Sequence, residues 1–149
     1  MLLIGYGNPG RRDDGLGPAL AKKLESIELS NVTIDSDYQL NIEHAHDLAA
    51  FDIVIFADAT LSQSTDKIKA PPYTFQQIEA GNPSSFSTHS VSPQAVLRLA
   101  VDLFGAKTKA YILGIVGYQF EEIKEGLSVD ATANLVRATD FMTGWLAHH

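Results

Sequence analysis

Two adjacent carboxylates, Asp13 and Asp14, follow a glycine-rich turn near the start of the chain. A third, Asp58, closes the most strongly apolar, β-branched stretch, Asp52-Ile-Val-Ile-Phe-Ala-Asp-Ala59. A histidine, His89, stands in the small polar segment Ser87-Thr-His-Ser-Val-Ser-Pro93, just ahead of a helix start. Acids before a helix commonly cap it, but one cap needs one carboxylate. With two in a row, one caps and the other is free to project over the strand ends. An Asp ending a strand either bonds the backbone of the next turn or faces the crevice where open α/β sheets bind ligands. Imidazole is the commonest metal ligand. Two carboxylates and one imidazole would suit a borderline divalent ion, leave coordination positions open, and polarise a carbonyl or activate water.

Other chemistries fare worse. The chain has no cysteine, which excludes disulfides, thiolate metal sites, iron–sulfur clusters and a cysteine nucleophile. It has no G-x-S-x-G elbow, no G-x-x-x-x-G-K-[ST] phosphate loop and no H-E-x-x-H. A hydrolase built from it would therefore use water, assisted by carboxylates or a metal. Gly5-Tyr6-Gly7-Asn8-Pro9-Gly10 reads literally as G-x-G-x-x-G, with Asp35 or Asp37 as the later acid of a dinucleotide site. That mechanism needs a helix to begin at the glycines. Here Arg11-Arg12-Asp13-Asp14 intervenes, and two carboxylates repel a diphosphate, so a nucleotide-binding oxidoreductase is the weaker alternative. In Glu43-His44-Ala45-His46, histidines two apart on a helix point in different directions and cannot chelate one ion. Structural roles are expected for them, one histidine being buried and hydrogen-bonded. Glu43 precedes an apolar turn that could enclose it.

The elements that must position these groups alternate short apolar runs with amphipathic stretches, which predicts α/β layers. A buried strand is expected at 1–6, then a turn at 7–10. A helix follows with Pro18 at its first position and a stripe of Leu16, Leu20, Leu24 and Ile27. Further strands are expected at 32–35, 52–59 and 110–116, with an edge strand at 73–78 inside a Ser/Pro/Gln-rich stretch. A helix is expected at 40–50. Ser92-Pro93 opens another with an apolar face of Val96, Leu97, Leu99, Ala100, Leu103 and Phe104, and Gly105 stops it. Ser128 caps the last helix, with Asp130 in its first turn and Leu135, Val136, Phe141, Met142, Trp145 and Leu146 inward.

Length and charge bound the class. The 149 residues form one domain, 1–149, long enough for a single core. Eighteen acidic against eleven basic residues give a formal charge of −7, which excludes a duplex nucleic acid as partner. No stretch approaches a membrane span, and Met1 to Gly5 reads as a core strand rather than a signal peptide. A cytoplasmic protein is expected, and His148-His149 are assigned no chemistry.

Taken in order, these segments resemble the hydrogenase maturation endopeptidase family. Ile4-Gly-Tyr-Gly-Asn-Pro-Gly-Arg-Arg-Asp-Asp-Gly-Leu-Gly17 is similar to its opening pattern, G-x-G-N-x-x-x-x-D-[DE]-G-x-G. The strand ending in Asp58-Ala59 resembles its second motif, and Phe86-Ser-Thr-His89-Ser-Val-Ser-Pro93 its third. Tyr38-Gln39-Leu40 with Glu43-His44-Ala45 is similar to a segment of one branch, and Gly114-Ile115-Val116-Gly117 fits the late strand. The resemblance implies a three-layer αβα fold with a twisted, mostly parallel sheet of about five strands. It implies removal of a C-terminal extension from the large-subunit precursor of nickel–iron hydrogenase, after nickel has been inserted. It places metal contact on Asp14, Asp58 and His89 and catalytic assistance on Asp14 and Asp58. The nickel is carried by the substrate, and other divalent ions can substitute. Asp14 stands where many members have Glu, so its reach is one methylene shorter. A monomer is expected, with no nucleic acid and no membrane as partner. A non-catalytic module that checks nickel loading is the alternative within this reading. A peptidyl-tRNA hydrolase shares the first motif but needs a histidine soon after it and a basic face, and this chain has Asp13-Asp14 and a negative charge instead.

Overall fold

A computed structural model describes residues 1–62, 70–82 and 91–149. His89 lies outside the described residues. Five strands form one sheet: β1 (Leu2–Tyr6), β2 (Thr33–Asp37), β3 (Ile53–Leu61), β4 (Tyr73–Ile78) and β5 (Lys109–Gly117). Their order is β2-β1-β3-β5-β4; all neighbours run parallel except β4, which is antiparallel to β5 at the edge. The helices are α1 (Leu16–Glu25), α2 (His44–Leu48), α3 (Pro93–Phe104) and α4 (Val129–Ala147). Among the described residues no helix is long and apolar enough to cross a membrane.

The two-residue period of a strand divides the core in two. Leu3, Ile55, Ala57, Leu113 and Ile115 face α1 and α4. Leu2, Ile4, Val54, Phe56 and Ala110 face the opposite way, against α2 and α3. Helices therefore cover both faces, and the central strands read as continuous apolar runs because neither face meets water. The expected three-layer α/β fold is the one observed.

Several local expectations hold in detail. Ser92 Oγ accepts from Ala95 N at 3.1 Å with Pro93 at the first helical position, and Gly105 ends α3 at φ 63°. Ser128 Oγ accepts from Ala131 N at 3.3 Å, and Asp130 lies in the first turn of α4. Others need correction. Pro18 is third in α1, not first, because the helix starts at Leu16. α2 is only five residues long. Asn41 Oδ1 accepts from Glu43 N at 3.0 Å, a local turn that competes with helix before His44. Glu43 is exposed rather than enclosed. His44 is buried, and its Nδ1 accepts from Asn41 N at 3.0 Å, the satisfied histidine expected. Val136 is exposed because the buried line of α4 runs through Leu135, Ala138, Met142 and Leu146, and position 136 lies about 100° round from Leu135. Leu103 and Phe104 are exposed in the last turn of α3, where Phe104 meets the His46 ring edge-on at 5.3 Å. Ile27 lies beyond the end of α1 and is exposed.

The close seating of α1 on the sheet rests on Gly17. A Cβ there would lie 2.4 Å from Tyr6 O and 2.5 Å from Ala57 O, both backbone atoms of central strands. Neither strand can give way without disturbing the ladder. Gly17→Ala is expected to cost about 2–3 kcal/mol, at the upper end of the usual range for overpacking. Chemical denaturation checks this, and an unchanged midpoint would show that the helix slides freely.

Candidate active site

From β1 the chain crosses to β2 on one side and then passes from β2 to β3 on the other side of β1, so the sheet has its topological switch point between β1 and β3. Crossovers that diverge leave a crevice beyond the carboxyl ends of those two strands. Asp58 stands there, one residue past the last β1–β3 pair, Gly5↔Ala57. Asp14 reaches the same place from the 3-10 turn Arg12–Gly15 that precedes α1. Both carboxylates line one cavity of about 190 Å³ with Tyr6, Tyr38, Leu40 and Val91. The structure thus brings two of the three expected site residues together. Among the described residues no three His, Cys, Asp or Glu side chains gather closely enough to hold a metal ion.

The adjacent acids divide their work as the sequence suggested, though the partner differs. Asp13 is fully buried. Its Oδ2 accepts from Tyr118 N (2.8 Å), Gln119 N (3.0 Å) and Ser128 Oγ (2.7 Å), and its Oδ1 accepts from Ser128 N (2.7 Å). Burial alone would raise its pKa, but these four charge-assisted bonds outweigh it and hold the carboxyl below the ordinary value. Asp13 thus clasps the segment between β5 and α4 and not the helix that follows it in sequence. Arg12, at φ 54°, donates its N–H to Lys124 O at 2.9 Å and its guanidinium to Gln119 Oε1 at 3.1 Å, fixing the same seam. With its neighbours so held, Asp14 is aimed at the crevice.

Asp14 Oδ2 accepts from Asn8 N at 2.8 Å, and Asn8 Oδ1 accepts from Gly10 N at 2.9 Å. Those two amides are donors that a pyrophosphate on a glycine loop would require. They are taken, and α1 begins six residues after Gly10, so the loop is a carboxylate holder and lacks the geometry of a nucleotide cradle.

Asp58 Oδ1 accepts from Ala59 N at 2.7 Å. Burial pushes its carboxyl up to about 6; the Ala59 amide opposes this, the charge on Asp14 adds to it, and a hydrogen bond with the Tyr6 hydroxyl opposes it. Burial, and then Asp58 itself, keep the Tyr6 hydroxyl protonated far above its ordinary range, so it serves as a donor. A carboxylate poised near neutrality beside a second one can take up a proton from water. Tyr6 went unnoticed in the sequence as more than a strand residue. The available signal was a lone hydroxyl in an otherwise apolar run, one residue past the pairing partner of Ala57. Asp35 and Asp37, by contrast, face His44 Nε2 at 3.9 Å and 3.7 Å and do not line the cavity that holds the two site carboxylates.

No protein-family model and no curated protein sequence matches the chain. Solved structures do. It is similar to the hydrogenase maturating endopeptidase HybD of E. coli, with 25% identity, a TM-score of 0.70, and coverage of 99% of this chain and 91% of that one. A nickel–iron hydrogenase maturation protease, HycI of Thermococcus kodakarensis, superposes with a TM-score of 0.75 at 19% identity, over 98% and 91% of the two chains. A hydrogenase 2 maturation peptidase from a Thaumarchaeota archaeon superposes with a TM-score of 0.69 at 21% identity, over 99% and 98%. Solved neighbours across nearly the whole chain include several hydrogenase maturation endopeptidases, and this chain has their fold, with paired carboxylates in the switch-point crevice.

Proposed function

We propose that this chain is a peptidase that removes the C-terminal extension from a nickel-loaded large-subunit precursor of nickel–iron hydrogenase. The observation that carries the reading is the meeting of Asp14 and Asp58 in one cavity at the carboxyl ends of parallel strands. The precursor brings its own nickel, which is part of the substrate here. Asp14 and Asp58 contact that metal, with His89 as the third contact, and other divalent ions can substitute. A weak three-contact site of this kind binds loaded precursor better than empty precursor, and that difference is the checkpoint. For the chemistry, water attacks the scissile carbonyl carbon while Asp58 takes its proton, with Tyr6 and the Ala59 amide holding the carboxylate in place. The C–N bond then breaks, and the proton passes to the departing amine. The reaction belongs in the cytoplasm, and one copy of the chain carries a whole site.

Intact-mass spectrometry of precursor incubated with this protein, with and without nickel loaded, tests the proposal. A discrete C-terminal mass loss only in the loaded sample is the expected result. A loaded precursor that forms a complex yet stays intact would overturn it in favour of a module that checks nickel without cutting.

A further inference from the structure

β3 is longer than the strand beside it. Its pairing with β5 runs in register from Ile53↔Lys109 to Leu61↔Gly117. Its pairing with β1 stops at Gly5↔Ala57. β1 ends at Tyr6, and the chain leaves the plane at Gly7, whose N–H donates to Asp37 O on the far side at 3.0 Å. Among the described residues, Asp58, Ala59, Thr60 and Leu61 therefore have a strand partner on one edge only. Strand residues alternate the edge to which they present N–H and C=O, so every second one of these four turns both groups to the open edge; the Ala59 N–H, already donated to Asp58 Oδ1 at 2.7 Å, is not among the groups on offer. Four residues span roughly 13 Å at about 3.3 Å each.

That edge borders the site. A groove of about 810 Å³ adjoins it, lined by Asp14, Ala59, Thr60, Leu61, Phe120 and Glu121 among others. Asp14 lines both this groove and the cavity that holds Asp58. A chain lying along the edge would therefore pass both carboxylates. The groove is acidic: Glu121 and Glu122 are exposed on its wall, and the ion pair there among the described residues, Arg12 Nε to Glu122 Oε2, is long at 3.8 Å. Leu61, 66% exposed, adds an apolar contact at the mouth.

We infer that the substrate docks by strand addition: an extended peptide segment bearing positive charge pairs with β3 at Asp58–Leu61, beside Glu121 and Glu122. Main-chain bonds give this mode its affinity, and alternating side chains give it selectivity. The inference rests on the peptidase reading but can fail separately from it. An ordered strand also explains how a flexible extension is held straight across two carboxylates, since cleavage requires the scissile bond in near-attack geometry.

The probe is a synthetic 20-residue peptide spanning the cleavage junction and extension of the large-subunit precursor from the same organism. Its amides are N-methylated one at a time, and binding to the full chain carrying Asp58→Asn, in which turnover is strongly slowed, is measured by calorimetry. Strand addition predicts alternation over at least four consecutive positions: methylation at every second amide weakens binding at least tenfold, and at the others leaves it within twofold. A flat or irregular profile overturns the inference, as does an absence of measurable binding. A second measurement needs no peptide chemistry. The double variant Glu121→Lys, Glu122→Lys, altered only on an exposed loop, is expected to raise KM for loaded precursor about tenfold at low salt while kcat holds, the loss shrinking as salt rises. An unchanged KM overturns the charge complementarity and with it the choice of occupant. Normal cleavage with a flat methylation profile removes strand addition and leaves the peptidase standing. Alternating binding without cleavage of loaded precursor removes the peptidase reading and leaves the docking mode.

Discussion

Asp13→Asn is expected to destabilise the protein by about 2–4 kcal/mol at neutral pH. The substituted amide can keep its oxygen toward Tyr118, Gln119 and Ser128 Oγ, but its NH2 must then confront Ser128 N, a donor facing a donor. A buried donor left unsatisfied costs the full desolvation of that group. Asp13→Ala strands all four donors and should cost more. The pH dependence has a definite sign. The folded-state pKa lies below the ordinary value, so this stabilisation is present above the unfolded value near 4 and is lost as pH falls through the lower folded one. The difference between wild type and Asp13→Asn should accordingly narrow in acid. Urea denaturation at several pH values measures it, and amide hydrogen exchange at Tyr118, Gln119 and Ser128 should quicken first. A variant as stable as wild type at pH 7 would show that the seam between the first loop and α4 is held by something other than this carboxylate. Because Asp13 and Asp14 are consecutive, activity should fall along with the clasp.

The second large effect runs in opposite directions for stability and activity. Asp58→Asn is expected to lower turnover by a factor of about 10² to 10⁴, the usual contribution of a positioned base. The same change should stabilise the fold at pH 7.5 by about 1–3 kcal/mol, since a rise from the ordinary value to about 6 corresponds to that order of cost for the ionised form. The direction follows from linkage. Below the unfolded value near 4 both states hold the proton and Asp58 costs nothing. Between there and about 6 the unfolded chain ionises while the folded one resists, and above 6 the whole penalty is present. The stability gap should therefore be widest above pH 6 and should close by about pH 4. Thermal unfolding of both proteins across that range decides the matter. A gap that is absent at pH 7.5, or equal at both ends, would mean that Asp58 is well solvated. A site that lowers stability in order to work is a common trade in enzymes, and here its cause is specific: a carboxylate half-buried beside another carboxylate.

Much of the architecture was legible before any coordinates. Apolar runs such as Ile53 to Ala57 can be strands only if both faces are covered, and that alone calls for helices on each side. Ser92-Pro93, Gly105 and Ser128 act within one turn of themselves, so their positions suffice to place helix ends. The paired acids, the strand-end Asp58 and His89 could be singled out because their chemistry is unusual for their places in the pattern.

What the chain's order of residues could not convey is which groups meet. Nothing local distinguishes Asp13 from Asp14; one is a clasp and the other a site residue only because Ser128, 115 positions away from Asp13, arrives beside the first. Tyr6 becomes a partner of Asp58 because β1 and β3 lie in parallel register, a fact of sheet order and not of spacing. The failed expectations are of the same kind. Val136 and Ile27 obeyed the helical period well enough to be placed inward, yet the angle at which α4 packs and the point at which α1 ends put them in solvent. Short-range patterns record what a segment can bury or cap by itself. The pairing of distant carboxylates, their altered proton affinities and the open edge of β3 arise only when the sheet assembles, because each depends on groups that the chain brings together from dozens of residues apart.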